Sequence, residues 1–167
     1  MTPTALTRTR AFEVLGTVPD PEVPAISVVD LGIVREVEIS EGNAVTVTIT
    51  PTYSGCPAMF EIEKDVRSAL IDAGASRVEV RTVLSPAWTT DWIGPEAREK
   101  LRAYGIAPPG RAEQGGLVTL TRARPPVACP FCDSNDTRLK SEFGSTACKA
   151  IHVCNSCRQP FDEFKAI

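Results

Sequence analysis

The sequence contains a single histidine, His152, among its 167 residues. One histidine cannot supply the two Glu-x-x-His sets that hold a di-iron carboxylate centre. The chain also has no G-x-G-x-x-G dinucleotide loop, no P-loop and no C-x4-C-x2-C run of plant-type 2Fe–2S ferredoxins. These absences exclude the corresponding oxygenase, nucleotide-dependent and ferredoxin functions. They favour a binding or assembly module over an enzyme.

Clustered positive charge is also missing from the chain. It has 18 Lys and Arg against 21 Asp and Glu, with a formal net charge of −3 and a pI near 5.3. This balance argues against non-specific nucleic-acid binding. No apolar run approaches the length of a membrane span, and residues 1–8 lack the apolar core of a signal peptide. We therefore expect a cytoplasmic protein with no membrane partner, whose six cysteines are metal ligands or reactive thiols rather than disulfides.

Hydrophobic periodicity predicts an α+β fold for the N-terminal part of the chain. Val45–Ile49 alternates apolar residues with threonines, a helical spacing follows over Ala58–Ala73, and a second alternating run covers Val78–Thr82. Strand, helix and strand predict a crossover, and hence a small sheet with helices packed on one face. The other predicted elements are a helix from about Thr4 to Gly16, a short strand at Ile26–Val29, and a strand through Val37 and Ile39 that a hairpin at Glu41–Asn43 joins to Val45–Ile49.

Both tryptophans, Trp88 and Trp92, lie in one polar stretch, Leu84–Ile93. Two large aromatic side chains in a loop either plug a sheet or form a contact surface for a partner, and the plug is the commoner arrangement. A further helix is expected to start at Pro95 and to end near Gly105, because Pro suits the first helical position and Gly the end.

The best domain boundary is Arg122–Pro126, because a Pro-Pro pair ends regular structure and stiffens a spacer. We therefore predict one domain at residues 1–124 and a second at residues 125–167. The second domain contains Cys129-Pro130-Phe131-Cys132 and Cys154-Asn155-Ser156-Cys157, with 21 residues between the two pairs.

These two pairs predict a zinc ribbon. Two residues between cysteines let both sulfurs reach one tetrahedral ion, so Cys129, Cys132, Cys154 and Cys157 supply four thiolate ligands. About forty residues with few aliphatic side chains cannot fold by apolar burial alone, so the metal has to contribute. We expect a structural zinc with a closed coordination shell. A rubredoxin-like iron is the alternative, since the spacing does not choose the metal.

Cys56 is the candidate functional thiol. It ends the loop Thr50–Pro57 between the predicted strand and helix, and Pro57 suits the first helical position. Cys56 is then expected at the helix N-terminus, where free amides and the helix dipole lower a thiol pKa. The Gly and Pro neighbours favour an exposed turn. The alternative is a buried structural cysteine, since free Cys is often buried.

Other candidate residues have weaker signals. Asp20-Pro21-Glu22 places two carboxylates on a stiff turn, which by itself indicates a polar loop. Cys148 is either a packed small residue or a thiol whose pKa Lys149 would lower. His152 is expected to be a surface or packing residue rather than a ligand, and a Cys–His nucleophile pair with Cys56 is disfavoured.

Two sets of motifs resemble known families. The first set resembles the SufT-like domain of iron–sulfur cluster assembly and consists of Asp20-Pro21-Glu22, Ser27-Val28-Val29-Asp30-Leu31-Gly32 and Thr50 through Cys56-Pro57. The second set resembles the D subunits (PaaD) of bacterial phenylacetyl-CoA epoxidase and consists of Pro86–Ile93, Gly105–Pro109, Cys129–Cys132, Phe143–Thr146 and Pro160-Phe161.

The resemblance implies membership of a multicomponent monooxygenase that converts phenylacetyl-CoA to its ring epoxide. In that family the di-iron oxygenase and the iron–sulfur flavin reductase are other chains. The role implied for the D subunits is the maturation of those chains, with Cys56 handling iron or an iron–sulfur cluster transiently and with Asp20 and Glu22 on the neighbouring loop.

Three functional hypotheses follow. The protein is an accessory maturation factor that acts through Cys56, a structural adaptor that docks through Trp88 and Trp92, or a thiol enzyme acting on a thioester such as an acyl-CoA. No general base for the third is visible in the sequence. The order of preference is the order given.

Overall fold

The computed structural model describes residues 5–111 and 125–167. These residues divide into two compact units, one comprising residues 5–88 with Trp92–Gly94 and the other comprising Thr89–Asp91 with residues 95–111 and 125–167. In the first unit the elements are α1 (Arg8–Leu15), β1 (Val34–Ser40), β2 (Ala44–Ile49), α2 (Met59–Asp72) and β3 (Arg77–Thr82). In the second unit they are α3 (Pro95–Ala103), β4 (Ile106–Ala107), β5 (Thr137–Ser141), β6 (Lys149–Cys154) and β7 (Pro160–Phe164). None of the described helices is long and apolar enough to cross a membrane.

The first unit contains a three-stranded sheet in the order β1-β2-β3. β1 and β2 are antiparallel and joined by the predicted hairpin, whereas β2 and β3 are parallel, with Val47 opposite Val80. Val45, Val47 and Ile49 are buried, and the intervening threonines are half-buried. This arrangement of strands and helices confirms the predicted α+β class.

α2 provides the crossover between the two parallel strands. Ile62, Val66 and Leu70 are fully buried at a spacing of four residues, which is the predicted apolar stripe. The helix ends at Asp72, and Gly74, the predicted stop, follows its C-cap with a φ of +104°, a conformation that favours glycine. It starts later than predicted, at Met59, because the amide of Met59 bonds the carbonyl of Cys56 in a turn. Pro57 therefore precedes the helix.

The first helix is also shorter than predicted. α1 starts at Arg8 because Thr7 is its N-cap and the Thr7 hydroxyl accepts a hydrogen bond from the Arg10 amide at 3.1 Å. It ends at Leu15, one residue before the predicted end at Gly16, which is its C-cap. Thr4, the predicted start, lies outside the described residues.

The predicted short strand at Ile26–Val29 is wrong. This segment consists of turns, with a single isolated bridge between Pro19 and Ser27. The side chains of Ser27 and Asp30 each accept a hydrogen bond from the other residue's backbone amide. The Ser27 amide donates to the Asp30 carboxylate at 3.1 Å, and the Asp30 amide donates to the Ser27 hydroxyl at 3.0 Å. Because these local bonds use the backbone groups that a sheet would need, the segment is a turn even though Ile26 and Val28 are buried.

Trp88 closes the first unit as a plug. Only 4% of its surface is exposed, and its Nε1 donates a hydrogen bond to the Leu31 carbonyl at 2.9 Å. Trp92 is half-buried under the guanidinium of Arg35, which lies 3.6 Å from the ring centroid. Of the two predictions for this loop, the plug is confirmed for Trp88. A docking surface that includes Trp88 is wrong, because that ring is already covered.

The second unit contains a four-stranded sheet in the order β4-β7-β6-β5. β5, β6 and β7 are antiparallel, and β4 adds to the edge in parallel with β7. α3 starts at Pro95 as predicted and is followed by Gly105, with φ +89°. The predicted boundary at Arg122–Pro126 lies largely in residues 112–124, which are outside the described residues, and it stays a prediction.

Replacing Trp88 with Phe is expected to lower the free energy of unfolding of the first unit by about 1–3 kcal/mol, because it removes the donor to the buried Leu31 carbonyl. Urea unfolding of the zinc-loaded chain, followed by circular dichroism, measures this change. Trp92→Phe is the matched control, since a Phe ring still packs under Arg35. Equal unfolding midpoints for the two variants would contradict the plug.

Candidate functional site

The four cysteines of the second unit converge on one point. Cys129 and Cys132 lie in the turns before β5, Cys154 ends β6, and Cys157 lies in the turn before β7. The Sγ atoms of Cys129 and Cys157 are 3.7 Å apart, those of Cys132 and Cys154 are 3.6 Å apart, and all four lie within 4.8 Å of one another. The sequence prediction of a four-cysteine cluster is confirmed.

This geometry fits a tetrahedral zinc ion. Thiolates at about 2.3 Å from zinc are about 3.8 Å from each other, close to the two separations found. The Cys157 amide, 3.4 Å from Cys154 Sγ, is the main reason that the pKa of Cys154 falls to about 6. The Cys154 thiol therefore ionises most readily. The other three thiols can ionise when a bound cation offsets the repulsion between the thiolates. Four ligands close the shell, so this centre is structural.

The first cysteine turn also packs on α3. A Cβ at Gly105 would lie 3.0 Å from the Phe131 ring, so only glycine allows this contact. Arg102 of α3 forms an ion pair with Asp133. Below them, the cysteines join a small core that consists of Ala107, Cys129, Cys154 and Phe161. The zinc ligands, α3 and β4 are therefore one packed assembly within the second unit.

The remaining side chains of interest in this unit have packing roles. Cys148 is 3% exposed and its sulfur lies 3.0 Å from the Thr146 hydroxyl, which supports the packed-residue interpretation. His152 is buried, stacks on Phe161 and bonds Glu163 through Nε2 at 2.7 Å. The expectation that His152 is not a metal ligand agrees with these contacts.

Cys56 lies two residues before Ala58, the N-cap of α2, in the loop that follows β2. The expectation of an exposed thiol is wrong, since Cys56 is only 8% exposed although Ser54, Gly55 and Pro57 around it are exposed. The loop turns the side chain inward, and its amide bonds the Tyr53 carbonyl at 3.3 Å.

The expected lowering of the Cys56 pKa is also wrong. Burial raises the pKa of this thiol above its ordinary value, and repulsion by the Glu22 carboxylate raises it further. Hydrogen bonds from the Ala58 amide and from the hydroxyls of Tyr53 and Thr52 favour the thiolate but only partly offset the burial. The sequence places both hydroxyls in the loop, but its pattern gave no sign that they point at the sulfur.

The two carboxylates of the Asp20-Pro21-Glu22 turn have different roles. Asp20 is 5% exposed, and its Oδ1 accepts hydrogen bonds from the amides of Glu22 and Val23 at 2.9 and 2.8 Å. Asp20 therefore stabilises the turn, which agrees with the polar-loop interpretation. Glu22 lies close enough to Cys56 to raise the pKa of its thiol. Among the described residues, the one group of three or more potential metal ligands whose ligand atoms lie close together is that of the four zinc cysteines. Cys56, Asp20 and Glu22 do not form a preassembled three-ligand site.

Zinc removal is expected to unfold α3 and β4 together with the ribbon and to leave β1–β3 folded. Metal binding supplies about 10–16 kcal/mol in small zinc modules, and here α3 packs directly on a ligand turn. Hydrogen exchange before and after chelation, and in Cys154→Ala, measures which amides lose protection. Cys148→Ala is the control and should keep about one zinc per chain. Protection of the ribbon that survives complete chelation would contradict a structural zinc.

Cys56 is expected to react with iodoacetamide more slowly at neutral pH than an unperturbed cysteine, because its raised pKa keeps it protonated. The rate should rise with pH through a midpoint above that of an unperturbed cysteine thiol. Glu22→Gln should move that midpoint down, whereas Glu41→Gln, at the hairpin at the other end of β2, should not. Site-resolved mass spectrometry of the zinc-loaded chain measures the rates. A fast neutral reaction that Glu22→Gln leaves unchanged would contradict this account.

Two protein-family models match the chain. Residues 8–82 match "Iron-sulfur cluster assembly protein", and residues 113–165 match "PaaD zinc beta ribbon domain". The first model covers the sheet and the Cys56 loop, and the second covers the four zinc cysteines. The resemblance of the first unit to iron–sulfur assembly domains is therefore confirmed.

Individual relatives agree with both models. A protein of Escherichia coli (strain K12) named for the D subunit of 1,2-phenylacetyl-CoA epoxidase is 49% identical over 156 residues, which cover 93% of this chain and 91% of the relative. A protein of Porphyromonas gingivalis named "Fe-S protein maturation auxiliary factor" is 38% identical over 52% of this chain and 83% of its own length.

A solved structure of a conserved hypothetical protein from Thermotoga maritima superposes on the chain with a TM-score of 0.52. It has 33% sequence identity and covers 60% of this chain and 98% of its own length. This similarity supports the α+β fold described above. With half of the residues shared along almost the entire length of the E. coli protein, this chain belongs to the PaaD family of phenylacetyl-CoA epoxidase D subunits.

Proposed function

We propose that this protein is an accessory subunit of a phenylacetyl-CoA ring-epoxidising monooxygenase and that it acts in the cytoplasm as a maturation factor. Its cargo is iron or an iron–sulfur cluster, which Cys56 holds transiently. The recipients are partner subunits, the di-iron oxygenase or the iron–sulfur flavin reductase. The family membership and the relatives named for iron–sulfur protein maturation support the accessory role.

The observation that carries this proposal is the environment of Cys56. An amide and two hydroxyls are directed at one sulfur, and Glu22 stands close enough to interact with it. Thiolate sulfur is the ligand that iron–sulfur clusters require, and hydrogen bonds to that sulfur stabilise its charge. A site with one protein thiol leaves the other coordination positions of the cargo to ligands from elsewhere. That suits a carrier better than a resident cofactor site.

The raised pKa of Cys56 suits reversible binding. A metal binds the thiolate, so the proton of a protonated thiol has to leave before the metal can bind. At neutral pH this requirement weakens the apparent affinity and helps release, because a returning proton competes with the metal. Glu22 adds a second effect: it repels the bare thiolate but attracts a bound cation, so it favours the loaded state over the empty ionised state.

A structural subunit without metal transfer is the second candidate. The burial of Cys56, 8% exposed, is the observation that favours it, since a packed cysteine needs no chemistry. The docking surface expected for this role included Trp88, but the Trp88 ring is buried and bonds the Leu31 carbonyl. A thiol enzyme is less well supported, because the one histidine of the chain already bonds Glu163.

Anaerobic reconstitution tests the proposal. We expect the zinc-loaded wild type to bind iron or a cluster beyond its structural zinc, and Cys56→Ser to fold, keep zinc and lose this additional metal. Below the thiol pKa, the apparent affinity should rise about tenfold per pH unit, because one proton leaves for each metal bound. Metal and sulfide analysis and absorption spectra measure both effects. Cys148→Ala is the matched control, because it removes a buried thiol outside either centre.

Partner maturation provides the second measurement. Epoxidase subunits produced with Cys56→Ser should lack iron or cluster and show little epoxidation of phenylacetyl-CoA, whereas those produced with Cys148→Ala should resemble wild type. Partners that are fully metallated and active alongside Cys56→Ser would disprove the maturation role. They would leave the structural subunit as the function.

A further inference from the structure

We propose that an apolar patch beside Cys56, formed by Phe60, Val83 and Leu84 and called the rim patch below, is the docking surface for the epoxidase subunit that receives the cargo. The inference rests on the proposed function, because it identifies where the cargo leaves the site. It also makes a claim about binding that can be measured without any metal.

The topology brings the rim patch and Cys56 to the same edge of the sheet. β2 and β3 are parallel, so their C-terminal ends lie at one edge; the Cys56 loop follows β2, and Val83 and Leu84 follow β3. The Val83 amide bonds the Ile49 carbonyl at 2.9 Å, which holds this segment against the end of β2. Ligands of α/β sheets commonly bind at this edge.

α2 adds Phe60 to the same edge. The helix starts next to the Cys56 loop and runs back to the other end of the sheet, where the Ser76 amide bonds the Asn43 carbonyl at 3.0 Å. Near its start, the carboxylate of Glu63 accepts a hydrogen bond from the Thr82 hydroxyl at 3.3 Å, beside the segment that contains Val83 and Leu84. Phe60, one turn before Glu63, is the second residue of the helix.

The three side chains of the rim patch are exposed to solvent, so they do not contribute to the core of the first unit. Phe60 is 74% exposed, Leu84 61% and Val83 36%, and Phe60 lies outside the buried stripe of α2. Ile71, the remaining large apolar side chain that is exposed in the described part of the first unit, lies near the opposite end of α2 at 44%. Exposed apolar side chains gathered at one place indicate an interaction site.

The burial of Cys56 explains why a recipient has to contact the rim patch. Ligands that take over iron have to approach within bonding distance, about 2.3 Å for a metal–sulfur bond, of an ion held by Cys56, a residue that is only 8% exposed. Such ligands can arrive only over the rim of the loop. A recipient that reaches the cargo therefore covers part of this edge, and a phenylalanine ring there supplies a large contact area at a small entropic cost.

The charges around the rim patch select the occupant. Glu22, Glu61 and Glu63 lie on the segments that border it. Two nearby cations are already paired, Lys64 with Glu61 at 3.3 Å and Arg81 with Glu79 at 2.8 Å. A second copy of this chain would bring like charges together, which disfavours self-association through this face. The patch fits an epoxidase subunit whose metal site lies beside an apolar pocket bordered by Arg or Lys.

The test compares Phe60→Ala with Ile71→Ala, which removes an exposed apolar side chain from the far end of the same helix. The full-length, zinc-loaded chain is titrated, without iron, against purified epoxidase subunits, and transfer from the iron-loaded chain is then followed against subunit concentration. For Phe60→Ala we expect Kd and the half-saturating concentration to rise at least about tenfold, with the iron content of the chain itself unchanged. Ile71→Ala should resemble wild type, and Phe60→Leu should restore part of the affinity. Added salt should weaken wild-type binding.

The outcomes separate this inference from the proposed function. If Phe60→Ala binds and transfers as well as wild type, the rim patch is not the docking surface and the maturation role is unaffected. If the wild type binds a subunit through Phe60 but transfers no metal, the docking surface stands and the maturation role fails. Dimerisation that Phe60→Ala abolishes, in sedimentation measurements, would make a second copy the occupant and would overturn the inference.

Discussion

The parallel pairing of β2 with β3 is the constraint on which the candidate site at Cys56 depends. Two consecutive parallel strands cannot be joined by a hairpin, so the chain has to return along the sheet, and α2 is that return. The return places a loop at the C-terminal end of β2 and the start of a helix directly after it. Cys56, Phe60 and the residues after β3 meet at this edge for that reason alone.

The second unit follows a different physical rule. The apolar cluster around its cysteines is small, and two of its four buried members, Cys129 and Cys154, are also predicted metal ligands. Because these two side chains both pack in the cluster and are expected to bind the metal, the ribbon depends on the metal as well as on apolar burial. The contact of Phe131 with Gly105 and the pairing of β4 with β7 extend this dependence to α3, which has no cysteine of its own.

At Cys56 two electrostatic effects oppose each other, and their magnitudes decide the outcome. Amide and hydroxyl donors favour the thiolate, as expected near the start of a helix, but desolvation and Glu22 favour the neutral thiol and prevail. The thiol is therefore less reactive in the metal-free protein than its position in the sequence suggests. For a carrier this is an advantage, because a protected thiol avoids alkylation and oxidation until a cation arrives.

The sequence by itself was sufficient for features that depend on local spacing. The alternation in Val45–Ile49, the four-residue stripe of α2 and the two C-x-x-C pairs predicted a strand, a helix and a metal cluster, because period and ligand spacing are properties of neighbouring residues. Side-chain hydrogen bonds nevertheless changed two predicted elements: the Thr7 cap sets the start of α1, and the Ser27–Asp30 pair replaces the predicted strand at Ile26–Val29 by turns.

Only the tertiary structure decided the environment of each functional group. Burial of Cys56, the inward turn of Trp88 and the approach of Glu22 arise from residues distant in sequence, and no local pattern contains them. The same holds for Phe60, which is exposed near the start of α2, because the crossover brings that start to the edge of the sheet at which β3 ends. Spacing along the chain determined which chemical groups this protein has, and packing between distant segments determined their pKa, their access to solvent and their neighbours.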